Sequence, residues 1–145
     1  MEEIAKDLNT FLCNLNVFYR KLQNYHWNVT GEHFFVIHTK LEEYYDEVNK
    51  QIDEIAEHIL MIGYEPLGRL KDYLENTKIQ EAENKKTKAS EILKEVVEGY
   101  TILLQEAASI KKRADEHNHY ATSTLMDSYI SSYTKHLWML KQSME

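Results

Sequence analysis

Two histidines and three acids in one stretch of the 145-residue chain have the types and spacing of a transition-metal site. His26 and His38 flank a short break at Gly31. Glu42 follows His38 by four residues, and Asp53 and Glu57 form a second pair, again four apart. Four residues advance about 400° around a helix, so each pair shares one face. Singly, such acid pairs are commonplace on solvated helix faces, and His26 alone reads as a polar side chain at a helix end. Together they carry more. With His38 at zero on the helical wheel, Glu42 falls at about 40°, Asp53 at about 60° and Glu57 at about 100°. That sector borders the apolar side of the helix, where acids are costly unless paired or bound to a cation. Lys50, at about 120°, offers one pairing partner and keeps a solvated face open as a reading. Imidazole with carboxylate suits a first-row transition metal better than calcium or magnesium, which prefer all-oxygen shells.

The elements that must position these groups are helices. Ile4, Leu8, Phe11, Leu15, Phe18, Leu22 and Tyr25 recur in steps of four and three. So do Leu41, Tyr45, Val48, Ile52, Ile55, Ile59 and Ile62; then Ala89 to Ala114; then Met126 to Met144. Short breaks near "NVTGEH" and "EHNHYAT" predict two antiparallel helical hairpins. The long connection between them is too long to lie structureless, and "LGRLKDYLEN" after Pro66 predicts a short helix of its own. The expected fold is all-α: one domain over 1–145, a ferritin-like four-helix bundle with a helix-containing crossover.

This architecture limits what the ligands can do. In an antiparallel hairpin His26 and His38 lie at a similar height. His38 and Asp53, fifteen residues apart, are about 22 Å apart along one straight helix. Metal–ligand bonds of about 2.0–2.2 Å cannot bridge that gap. Either the chain holds two poor half-sites, or a second copy completes each one. An antiparallel two-fold pairing of this helix with its copy would bring His26, His38 and Glu42 of one subunit to Asp53 and Glu57 of the other. The reading from the residues is a shared, intersubunit metal site.

Composition narrows the function classes. A net charge of −7 and the lack of a lysine-rich extension argue against a nucleic-acid surface. No apolar run is long enough to cross a bilayer, and the acidic, amphipathic N-terminus does not read as a signal peptide. One cysteine, Cys13, excludes an intrachain disulfide and suits a reducing cytoplasm. Cys13 falls opposite the apolar seam of its helix, so it is expected at the surface or at a subunit contact. Glu116 and His119 form one E-x-x-H, but an intrabundle di-iron centre needs two such motifs, and no second is found.

"NYHWNVTG", then "FFVIH", then Glu42, then "DEIAEHILMIGYEP", with "TKHLWMLKQ" near the end, resembles the Dps family of mini-ferritins over most of the chain. The resemblance implies His26, His38 and Glu42 as ligands from one subunit and Asp53 and Glu57 from the two-fold partner, with Trp27 beside the iron as a redox neighbour. It implies a hollow dodecamer that oxidises Fe²⁺, typically with hydrogen peroxide, and stores ferric mineral. Two departures stand out. Glu42 occupies a position often held by Asp, and Thr124 stands where many relatives carry an Asp lining the iron-entry pore. Asp115, Glu116, His117 and His119 lie nearby as substitutes or as a solvated loop. The competing reading is a DNA-compacting structural protein with a secondary metal site, against which the charge balance speaks.

Overall fold

The computed structural model describes residues 1–144. Its elements run α1 (Glu2–Asn28), β1 (Val29–Thr30), α2 (Phe34–Met61), α3 (Leu70–Asn76), β2 (Thr87–Lys88), α4 (Ala89–Glu116) and α5 (Tyr120–Ser143). The four long helices form the expected bundle: α1 packs on α2, α4 on α5, and α1 on α4. All seven seam residues of α1, from Ile4 to Tyr25, are buried. Its N-terminus carries Glu2 and Glu3, where acids complement the helix dipole. The α1–α2 turn passes through Gly31 at φ 117°, a conformation that a side chain would strain. The α4–α5 turn is closed by Asn118 at φ 55°.

The crossover behaves as its sequence suggests in one respect and not in another. The helix after Pro66 forms, with the Asp72 carboxylate accepting from the backbone N–H of Arg69. No strand is legible in the sequence, yet Val29 pairs with Thr87 and Thr30 with Lys88 in a two-residue parallel bridge. Four residues are too few to show alternation. The bridge ties the crossover to the α1–α2 turn, immediately beyond His26.

Cys13 is neither exposed nor placed at the surface, contrary to expectation. It is fully buried, with its thiol 3.7 Å from the Asp72 carbonyl. The cause is α3, which packs on the far side of α1 and gives that helix a second buried face. Burial, then the charges of Asp72 and Glu106, push the thiol up to about 11, so it stays protonated and unreactive.

The seam of α2 is also phased differently. Tyr44, Gln51 and His58 are buried, whereas Tyr45 and Ile52 are only half-buried. The face toward α5 is a ladder of polar rungs. The Glu47 carboxylate accepts from Ser132 Oγ at 2.6 Å and lies 2.9 Å from His136 Nε2. Tyr133 donates to Gln51 and Tyr129 to Glu54, each at 2.7 Å. His58 meets the Thr122 hydroxyl at 2.8 Å. The rungs at 47, 51, 54 and 58 keep helical spacing, so one stripe of α2 is hydrogen-bonded along its length, with Gln51 and His58 buried, Glu47 half-buried and Glu54 at the exposed edge. The His136 bond is the main reason the Glu47 carboxyl sits below its ordinary range, against the opposing effect of burial.

Gly99, inside α4, lets the bundle close. A Cβ there would stand 2.8 Å from Phe18 Cδ1 and 2.9 Å from Cζ, and closer still to Cε1. Phe18 is fully buried and held edge-on by Tyr100 at 5.0 Å, so its ring has nowhere to retreat. Alanine would improve helix propensity by up to about 1 kcal/mol. Overpacking of this kind costs about 1–3 kcal/mol. The Gly99→Ala variant is expected to melt several degrees below wild type at equal protein concentration. An unchanged or raised melting temperature would show that the Phe18 ring yields.

Candidate metal centre

The turn that reverses the chain after α1 places His26, in the last turn of that helix, against His38, in the second turn of α2. Each ring bonds to the other residue's backbone. His26 Nδ1 lies 2.6 Å from the His38 carbonyl oxygen, and His38 Nδ1 lies 2.7 Å from the His26 carbonyl oxygen. A carbonyl only accepts, so both Nδ1 atoms carry the proton. In the neutral rings this leaves both Nε2 lone pairs free, the arrangement by which proteins orient imidazole as a metal ligand. The two rings stack at 3.7 Å with 11° between their planes. Phe34 stacks on the outer face of His38 at 4.8 Å, and Tyr45 meets His26 edge-on at 5.4 Å.

Glu42 reaches this pair. One of its oxygens is 3.5 Å from His26 Nε2, and its side chain is otherwise exposed. Asp53 and Glu57 are exposed on the same helix and enter no ion pair among the described residues, with Lys50 or any other cation. The structure therefore does not bring them to the histidines within one chain. Helix α2 is continuous from Phe34 to Met61, so the separation of about 22 Å stands. No three His, Cys, Asp or Glu side chains converge as a complete metal cage among the described residues. One chain carries an imidazole-rich half where α1 meets α2 and an acidic half far along α2.

The comparisons with known proteins decide the family. The family model described as a ferritin-like domain matches residues 5–145. The "DNA protection during starvation protein" of Brevibacillus brevis is 38% identical over 98% of this chain and 95% of its own length. The crystal structure of a Dps protein from Bacillus brevis superposes with a TM-score of 0.95, at 38% identity, over 99% of this chain and 96% of that one. The chain belongs to the Dps family. A Dps structure from Vibrio cholerae, whose description places it in a superfamily of ferritin-like diiron-carboxylate proteins, superposes at 0.96 with 35% identity over 99% of this chain and 90% of that one. The Dps family as mini-ferritins, and the four-helix bundle, are thereby shown for this chain.

Within this Dps chain Trp27 directly follows His26 in α1. It is 60% exposed and, with Arg20, Leu70, Tyr73 and Leu74, lines a surface cavity of about 600 Å³ between α1 and α3. Spacing alone could not reveal the stacking of Phe34 on His38 or the edge-on contact of Tyr45 with His26. The signal was present as aromatics four before His38 and three after Glu42, one turn away on the same face.

The Glu42 side chain already spans to within 3.5 Å of His26 Nε2. Replacing it with Asp keeps the charge and both oxygen donors on a shorter arm. Iron oxidation at sub-stoichiometric iron is expected to persist in Glu42→Asp and to slow by about tenfold or more in Glu42→Ala. Equal rates for wild type and Glu42→Ala would remove Glu42 from the ligand set.

Proposed function

We propose that the protein is a ferroxidase and iron store, oxidising Fe²⁺ with hydrogen peroxide at sites shared across two-fold subunit contacts. The observation that carries this reading is the reciprocal lock of His26 and His38, which leaves both Nε2 lone pairs free, that of His26 3.5 Å from a Glu42 oxygen. Asp53 and Glu57 of the two-fold partner supply the acidic half. Fe²⁺ is the substrate. Two imidazoles and three carboxylates hold the ferrous iron, and the carboxylates stabilise the ferric product more than the ferrous reactant, which favours loss of an electron. The balance is two Fe²⁺ with one H₂O₂ and two protons giving two Fe³⁺ and two waters. Pairing the electrons in one site reduces peroxide fully, so hydroxyl radical is not released. The ferric product is hydrolysed and stored as mineral in a hollow homododecamer, in the cytoplasm, protecting the cell from oxidative damage.

Adding Fe²⁺ without oxygen and then hydrogen peroxide tests this. Ferric absorbance is expected to rise quickly only after peroxide, with half as much peroxide consumed as iron and particle mass corresponding to a cage. A rate no faster than that of free iron would refute the reading. DNA compaction by the cage surface is disfavoured by the net charge of −7. No discrete shifted DNA complex is expected at neutral pH in about 150 mM salt. One that forms there would restore the DNA reading.

A further inference from the structure

The bonds between His26 and His38 fix one atom of each ring, Nδ1. The torsion that turns an imidazole on its stem is soft, so one fixed atom still leaves the ring free to pivot. Neighbouring rings remove that freedom. The His26 ring lies 3.7 Å from the His38 ring with 11° between their planes, and the Phe34 ring lies 4.8 Å from it with 18°. Two rings cannot share one face, so His38 is enclosed on both. His26, which is buried, also meets the Tyr45 ring at 5.4 Å and 82°. Tyr45 is held in turn by Tyr19, edge-on at 5.9 Å, and the Tyr19 hydroxyl accepts from the Gln23 amide at 3.1 Å. Phe34, His38, His26 and Tyr45 thus form one column with both histidines inside it. Phe34 is half-buried in this column, whereas Phe35 and Val36, next in sequence, are 82% and 71% exposed.

We propose that Phe34 and Tyr45 are positioning residues, bracketing the two imidazoles so that each Nε2 is held ready for a divalent transition-metal ion. Each acts through the histidine it packs on. The inference rests on the reading of His26 and His38 as metal ligands and deepens it. A flat ring stacked on an imidazole opposes tilting across the whole face, which an aliphatic side chain of similar size does not. An imidazole released to pivot must be ordered again when the ion binds, so the loss appears as weaker affinity. The donor atoms themselves are unchanged, so the rate at saturating iron is not affected.

Titration with Co²⁺, followed by its visible absorption, reads this positioning without any oxidation. Phe34→Leu and Tyr45→Leu keep an apolar side chain and remove the flat ring; Phe34→Tyr and Tyr45→Phe keep the ring. Each leucine variant is expected to weaken Co²⁺ binding about three- to tenfold and to shift the absorption band. Each aromatic replacement is expected to bind as wild type does. Gly99→Ala serves as the control for lowered stability, since it strains the bundle core against Phe18 and leaves the column alone. It should bind Co²⁺ with unchanged affinity. Leucine variants that lose melting temperature but keep Co²⁺ affinity would show that the rings only pack, and overturn the proposal. Equal weakening by leucine and by the aromatic replacements, or by Gly99→Ala, overturns it too. In iron oxidation the leucine variants should raise the iron concentration for half-maximal rate by a similar factor and leave the maximal rate unchanged. Wild-type cages that bind Co²⁺ but oxidise no iron would refute the proposed function, and the Co²⁺ affinities would still decide the bracket. Co²⁺ binding that survives His26→Ala with His38→Ala would show that the histidines are not ligands, and would overturn the bracket with them.

Discussion

Changing His26 and His38 together to alanine is expected to abolish fast iron oxidation and to loosen the α1–α2 turn. Two effects combine. The first is loss of both nitrogen donors, which should cost more than the roughly 10–100-fold typical of altering groups behind a metal ligand. The second is loss of two side-chain-to-backbone bonds of 2.6 and 2.7 Å that cross the turn, each worth about 1 kcal/mol. The truncation also strips Phe34 and Tyr45 of the rings they pack against. The melting temperature should therefore fall along with the activity. Activity is measured by ferric absorbance at sub-stoichiometric iron, and assembly by particle mass. Intact cages oxidising iron at more than about a tenth of the wild-type rate would remove the histidines from the chemistry. Imidazole donors are specific to histidine, so glutamine at both positions should be as inactive as alanine.

Much of this arrangement could be read before any coordinates. The α1 seam held at every position because each of its members is apolar and packs toward the same bundle centre. The α2 seam did not, because apolar periodicity is blind to polar residues that are buried by pairing. Gln51 and His58 face the core only because Tyr133 and Thr122 of α5 meet them there. Those partners lie more than sixty residues away in sequence, beyond the reach of a local pattern. Cys13 failed for a related reason: the side of α1 on which α3 would settle is set by tertiary packing, not by α1 itself. The placement of the two histidines and Glu42 was more legible. A short break between two helices suffices to bring His26 and His38 to one height, and four-residue spacing suffices to add Glu42. What the sequence did not show is the mutual Nδ1-to-carbonyl lock, which depends on backbone positions at the turn. The separation of Asp53 and Glu57 from the histidines followed from helix rise alone, and the unbroken α2 retains it.

That separation makes the shared site the central claim, and mixing two damaged chains tests it most directly. One chain carries His26→Ala and His38→Ala; the other carries Asp53→Ala and Glu57→Ala. Asp53 and Glu57 are exposed and unpaired among the described residues, so the second chain should fold and assemble as wild type does. Each variant alone lacks one half of every site and should be inactive. The two chains are then co-expressed with different tags in equal amounts, and cages bearing both are purified. In a mixed two-fold pair one site receives both damaged halves and the other receives two intact halves. Random pairing makes about half the pairs mixed, so about a quarter of all sites should be whole. The account predicts that the mixed cages recover about a quarter of the wild-type oxidation rate, although neither parent has any. A site built within one chain cannot recover, because every chain is damaged. Mixed cages of verified composition that stay as inactive as their parents would contradict the shared site.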